Sequence, residues 1–259
     1  MSMNKPIANW TGYRVWIVGA SSGIGAALAR ALIARGARVA LSARNAQALA
    51  DVAATGTAGQ TLQLPLDVIR PEEISAAFDT INDSWSGLDL AVLLAGSHQP
   101  VRAWELDAGQ ARALVEINLI GTMNATALLA PAFCRDSRGA IAVVSSVAGY
   151  GGLPSSLVYG ATKAALINFT ETLYLDLHPR GVGVYLVNPG FVKTPLTDKN
   201  AFKMPALISA QEAAEAMIAG FESGKFEIHF PKRFTFWLKL LRLLPYRIYF
   251  SLIHKLTGL

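Results

Sequence analysis

The chain predicts an α/β protein built on one doubly wound parallel sheet with helices on both faces. Three observations carry that expectation. Short apolar runs at residues 15–18, 38–41, 61–64, 88–94, 140–144 and 182–187 alternate with helix-length segments, and continuous apolar strands connected by right-handed crossovers need cover on both faces. The first run leads straight into a glycine-rich turn and an alanine-rich helical segment. Small, polar or charged residues follow the strand ends, where ligands bind in open α/β sheets. With 259 residues, 52% of them hydrophobic, one large domain suffices.

The run at 15–18 enters Gly19-Ala20-Ser21-Ser22-Gly23-Ile24-Gly25. Glycine here lets the backbone turn tightly and approach a pyrophosphate, whose charge meets the amides and positive end of the following helix. The spacing is Gly-x-x-x-Gly-x-Gly, not the commoner Gly-x-Gly-x-x-Gly. The strand at 38–41 ends in Ser42-Ala43-Arg44-Asn45, the one at 61–64 leads to Asp67 and Val68, and the one at 88–94 to Ala95-Gly96. After the strand at 140–144 comes Ser145-Ser146, and after that at 182–187 comes Asn188-Pro189-Gly190-Phe191-Val192-Lys193-Thr194.

Tyr-Gly-Ala-Thr-Lys spans residues 159–163, with Ser146 thirteen residues upstream of Tyr159. A helix over 159–178 makes Tyr159 and Lys163 i and i+4 neighbours on one face. A free phenol titrates near ~10, and a cation beside it favours the phenolate. A lowered Tyr159 pKa and a usable proton donor are therefore expected.

The glycine turn and the Ser146–Tyr159–Lys163 group together resemble the short-chain dehydrogenase/reductase family over about residues 13–230. The resemblance implies a single Rossmann-type domain, a nicotinamide cofactor, and catalysis by Ser146, Tyr159 and Lys163 assisted by Asn118. It implies cofactor contacts at Gly19, Ser21, Ser22, Gly23, Ile24, Gly25, Asp67, Val68, Ala95, Gly96, Tyr159, Lys163, Pro189, Gly190, Val192 and Thr194, with Asp67 at the adenine and Val192 and Thr194 at the carboxamide. In this reading Tyr159 gives a proton to a reduced carbonyl oxygen, Ser146 polarises that oxygen, and Asn118 anchors a water linking Lys163 to solvent. Two positions depart from the family pattern, Val18 for a threonine and Leu93-Leu94 for an asparagine pair. Both replace polar bracing by apolar side chains.

Cofactor choice follows from the second strand end. A carboxylate there bonds the ribose hydroxyls and repels a 2′-phosphate, whereas this chain offers Ser42 and the Arg44 guanidinium. NADP(H) is the expected cofactor, and the competing reading makes Arg44 the start of a solvated loop.

Other chemistries find less support. No Gly-x-Ser-x-Gly elbow surrounds Ser146, which argues against a serine hydrolase. His98, His178, His229 and His254 lack metal-ligand spacing, so no metal is expected. Cys134 is the only cysteine, which fits a reducing cytoplasm. Residues 1–10 are polar and interrupted by Pro6, unlike a secretory signal. A cytoplasmic protein is expected.

Residues 231–259 form a C-terminal extension to the 1–230 domain. From residue 225 onward there are seven Lys or Arg against one acid, Glu227, a local net of +6, while the whole chain carries +5. Bulky aliphatic and aromatic residues are interspersed, and helix potential is high except at Pro245. A basic, aromatic-rich amphipathic segment fits the plane of a membrane surface. The other reading has two helices, broken at Pro245, closing the substrate cleft or pairing protomers. Cations diluted among aliphatics argue against nucleic acid.

Asp198, Phe202, Met204 and Leu207 after Thr194, with Gly149, Gly151, Gly152 and Pro154 between Ser146 and Tyr159, outline an apolar substrate pocket. An NADPH-dependent reductase of an apolar, lipid-like ketone or aldehyde is the leading expectation. A non-redox epimerase or dehydratase and an NADPH-sensing membrane-associated protein are the alternatives. The family resemblance implies a homo-oligomer paired through the helices of Asn118 and Tyr159.

Overall fold

The computed structural model describes residues 2–198 and 204–258, so Phe202 lies outside the described residues. The elements run β1 Arg14–Val18, α1 Gly23–Ala34, β2 Arg38–Ser42, α2 Ala46–Ala53, β3 Thr61–Gln63, α3 Pro71–Trp85, β4 Leu90–Leu93, α4 Ala108–Val115, α5 Gly121–Asp136, β5 Ala140–Val144, α6 Leu157–Leu177, β6 Gly183–Pro189, α7 Ala210–Glu222, β7 Glu227–Phe230, α8 Lys232–Arg242 and α9 Tyr246–Thr257. A single π turn, Glu116–Ile120, joins α4 to α5. All seven strands pair in parallel, in the order β3-β2-β1-β4-β5-β6-β7. The order reverses beside β1, and its carboxyl end is where a ligand crevice opens.

Strand periodicity sorts the core into two layers. Val15 and Ile17 of β1 pack with Leu28, Leu32, Met217 and Phe221 under α1 and α7. Trp16 and Val18 point the other way, onto Ile74, Ile81, Leu129 and Leu166 of α3, α5 and α6. Of the departures from the polar family pattern, Val18 and Leu93 are buried in that second layer, and Leu94 packs, partly buried, against the first. Apolar packing replaces the bracing.

Local signals set the helix starts. Asn45 accepts from the Ala48 amide at 3.0 Å to cap α2. Pro71 opens α3, followed by Glu72 and Glu73 at its positive end. Ser209 and Glu212 form a reciprocal capping box on α7.

β7 was not anticipated as a strand. Its sequence Glu-Ile-His-Phe alternates charge and apolarity over only four residues, and its partner β6 decides its state. The tail does form two helices broken at Pro245, as expected.

The base of β1 is fastened by Arg14 and Asp89. The guanidinium reaches Asp89 at 2.8 and 2.5 Å and also donates to the Trp85 and Ser86 carbonyls. Burial pushes the Asp89 carboxyl up, but the hydrogen bonds from Arg14 outweigh it and hold the pKa below the ordinary value. A depressed carboxylate stabilises the fold above the unfolded-state pKa, and that contribution is lost as pH falls through the native one. Asp89→Asn is therefore expected to cost about 1 kcal/mol at neutral pH, discounted for partial exposure. Urea unfolding should show this gap closing in acid; a gap that persists there would contradict the account.

Candidate active site

At the carboxyl end of the sheet, loops after β1 to β6 enclose a cleft of about 380 Å³. The turn after β1 contributes Gly19, Ser21, Ser22, Gly23, Ile24 and Gly25. Gly19 has φ +108°, and a Cβ there would stand 2.7 Å from the Ala95 amide nitrogen. At Gly25 a Cβ would stand 2.1 Å from the Gly19 carbonyl oxygen. Only glycine permits this close packing of turn and helix. Opposite lie Ala95 and Gly96 after β4, Asp67 and Val68 after β3, and Pro189, Gly190, Val192 and Thr194 after β6. The sequence-predicted cofactor residues line one cleft, and a glycine turn packed this closely against the start of α1, with the helix amides at the cleft, fits a dinucleotide pyrophosphate.

Arg44 is exposed and lines the cleft, one residue before the Asn45 cap of α2. Ser42 departs from expectation. Its hydroxyl is fully buried and accepts from the Trp16 indole at 2.9 Å, so it braces β1 against β2 rather than facing a ribose. Arg44 alone remains of the expected pair.

Ser146, Tyr159 and Lys163 line the same cleft. Ser146, two residues beyond β5, stands in extended backbone and caps the short turn Val147–Gly149, its Oγ accepting from the Ala148 amide at 3.1 Å. α6 carries Tyr159 and Lys163 one turn apart, as the spacing requires. Lys163 Nζ sits 5.6 Å from the Tyr159 ring centroid and donates to the Val144 carbonyl at 3.0 Å.

The lowered Tyr159 pKa is not what this arrangement produces. Burial raises it, and the hydrogen bond with Ser146 offsets only part of the rise. The same burial lowers Lys163 to about 8. Both are desolvated groups, for which low dielectric disfavours the charged form. The ammonium is spent on a backbone carbonyl, so the phenol stays protonated and Lys163 releases its proton readily.

Asn118 lies within the π turn, fully buried behind the cleft. Its Oδ1 accepts from the Ser97 amide at 2.7 Å, while Nδ2 donates to the Ser97 carbonyl at 3.0 Å and to Thr162 Oγ1 at 3.2 Å. It clamps the loop after β4 onto α6 beside Lys163. π turns recur where a side chain must be re-aimed at a functional site.

Three contributors were missed in the sequence. The His98 ring meets the Tyr159 ring edge-on at 4.6 Å between centroids; its place two residues beyond Gly96 was the only clue. Glu227, on β7, accepts from Tyr150 at 2.6 Å and Asn188 at 2.9 Å and pairs with Lys239 of α8. Burial raises the Glu227 pKa, but those hydrogen bonds lower it further, and it remains a carboxylate. Tyr249 of α9 donates to the Gly152 carbonyl at 2.9 Å. The tail thereby fastens the Ser146–Tyr159 connection and the Asn188-Pro189 segment. Of the expected lid, Thr194 lines the cleft together with Pro195, Leu196 and Thr197, whereas Asp198, Met204 and Leu207 do not.

A profile described as short chain dehydrogenase matches residues 14–204. An uncharacterized oxidoreductase of Myxococcus xanthus is 36% identical over 238 residues, covering 90% of this chain and 93% of its own. One of Staphylococcus epidermidis is 31% identical over 207 residues, 78% of this chain and 87% of its own. Among solved structures, a 3-ketoacyl-(acyl-carrier-protein) reductase of Brucella melitensis complexed with NADH superposes with a TM-score of 0.78 at 24% identity, covering 86% of this chain and 99% of its own. At that identity the likeness shows the fold alone. A ribose-5-phosphate isomerase of Brucella melitensis gives 0.76 at 29% identity, covering 86% and 93%. Glycine cradle, parallel sheet and the Ser146–Tyr159–Lys163 cleft thus coincide with a match over most of the sequence, and this chain belongs to the short-chain dehydrogenase family as one of its oxidoreductases.

Proposed function

We propose that the protein is an NADPH-dependent reductase of an apolar ketone or aldehyde. The observation that carries this reading is the convergence of Ser146, Tyr159 and Lys163 on the cleft that holds the glycine cradle. When bound, the reduced nicotinamide supplies the hydride that reaches the carbonyl carbon. The chain's own residues manage the oxygen. Ser146 Oγ donates a hydrogen bond to it, worth more as negative charge develops in a water-poor site. Tyr159 passes its phenolic proton to the same oxygen, completing the alcohol. Lys163, with its pKa near 8, then supplies a proton toward the phenolate. Asn118 holds Ser97 and Thr162 on either side of that lysine, which supports a role in its solvent connection.

Arg44 favours NADPH, because a guanidinium at the rim can take a 2′-phosphate through paired charge-assisted bonds, and the cleft-lining residues after β2 include no acid. The apolar class of substrate is supported by Pro195 and Leu196 in the cleft lining after β6.

The test is steady-state oxidation of NADPH and NADH in parallel, across carbonyls of increasing chain length. NADPH should be preferred, rates should rise with chain length, and Arg44→Ala should cut kcat/KM for NADPH by about 10-fold or more while leaving NADH within about twofold. Equal use of both nucleotides by the parent would overturn the cofactor assignment. Tight nucleotide binding without turnover of any carbonyl would instead favour non-redox chemistry on this scaffold.

A further inference from the structure

We propose that the outer face of α8 and α9 is a docking surface for an anionic lipid bilayer, lying in the interface plane. The inner faces of both helices are already committed. Phe234 packs on Phe191 with ring centroids 5.5 Å apart, Thr235 is buried and bonded to His229, and Tyr249 and Ile253 are buried against the body. Lys239 is tied to Glu227. The tail is therefore docked, not a loose apolar segment awaiting a core.

What remains faces outward. Phe236 is 56% exposed, Trp237 66%, Leu243 79% and Tyr246 78%, with Leu240, Ile248 and Phe250 also exposed. At 100° per residue, Phe236, Trp237, Leu240 and Leu243 share one stripe of α8 with Arg233 among them and Lys232 beside it. On α9 the exposed Arg247 and Lys255 lie opposite the buried Tyr249 and Ile253. Bulky apolar and aromatic side chains interspersed with cations are the composition of an interfacial segment. At 11 and 12 residues the helices are too short to span the ~20 residues of a hydrocarbon core.

Charge selects the lipid over a second copy. A self-complementary interface places each patch on its own image, and α8 and α9 carry no acid while Lys232, Arg233, Arg242, Arg247 and Lys255 are exposed, Lys239 being paired with Glu227 of β7. Two such faces repel, whereas a leaflet of anionic headgroups neutralises them. Phe234 and Tyr249 tie the surface to the loops that follow β6 and β5, whose first residues line the cleft. On the reductase reading, an apolar carbonyl then enters from the lipid.

The experiment is cosedimentation of the full chain with vesicles of phosphatidylcholine, with and without about 30% phosphatidylglycerol, at low and high salt. Its readout is independent of turnover, so it fails separately from the reductase assignment. Binding should require the anionic lipid, weaken with salt, and bring a blue shift in tryptophan emission. Combined Arg233→Glu and Arg247→Glu should weaken it at least about 30-fold, and combined Phe236→Ser, Trp237→Ser and Leu240→Ser about 100-fold, with nucleotide binding retained in both. Absence of parental binding to anionic vesicles, or unchanged binding in the charge-reversed variant, overturns the proposal. A parental self-association that the apolar variant abolishes, without vesicle binding, assigns the face to a second copy instead.

Discussion

Tyr159→Phe should lower kcat by roughly 1000-fold, the scale of a lost general acid, while leaving nucleotide affinity within about threefold. The substitution removes one hydroxyl from a half-buried ring that keeps its edge-on contact with His98. The fold has no need of that hydroxyl, since α6 is held by Leu166, Ile167 and Thr170 in the core. The parental pH profile tests the same assignment. Burial raises the Tyr159 pKa, so the phenol stays protonated through neutrality, whereas Lys163 loses its proton above about 8. Reduction should fall as pH rises past that value. Stopped-flow and steady-state rates across pH would show this. A Tyr159→Phe enzyme with near-parental turnover would remove the tyrosine from the chemistry.

Gly25→Ala should weaken nucleotide binding by about 100-fold or more and destabilise the fold by about 1–3 kcal/mol. The new methyl would stand 2.1 Å from the Gly19 carbonyl oxygen and 2.9 Å from Leu94 Cδ1. Neither the backbone of the turn nor the start of α1 can move without carrying the other, so the amides that meet a pyrophosphate lose their alignment. Gly152→Ala is the control, because a Cβ there meets nothing within 4 Å. Fluorescence titration with NADPH, together with thermal unfolding, separates the two effects. Parental affinity in Gly25→Ala would mean the turn does not cradle the nucleotide.

The sheet was legible because its signals are short-range. Apolar runs such as those of β1 and β5 show their state within five residues, and binding residues sit at strand ends because parallel strands all finish on one side. β7 was not legible, since Glu-Ile-His-Phe becomes a strand only beside β6. Ser42 was misread because its partner, Trp16, lies on the neighbouring strand.

The doubly wound fold, the glycine turn after β1 and the Ser146–Tyr159–Lys163 spacing are all written locally in the chain. The electrostatics of that group and the docking of the tail emerge only once distant segments meet. Whether Lys163 lowers the Tyr159 pKa depends on how deeply both are buried and on the Val144 carbonyl that takes the ammonium. Whether the tail hangs free depends on Tyr249 reaching Gly152, 97 residues earlier, and on Lys239 meeting Glu227. Burial and long-range pairing are properties of the closed chain, and no local pattern contains them.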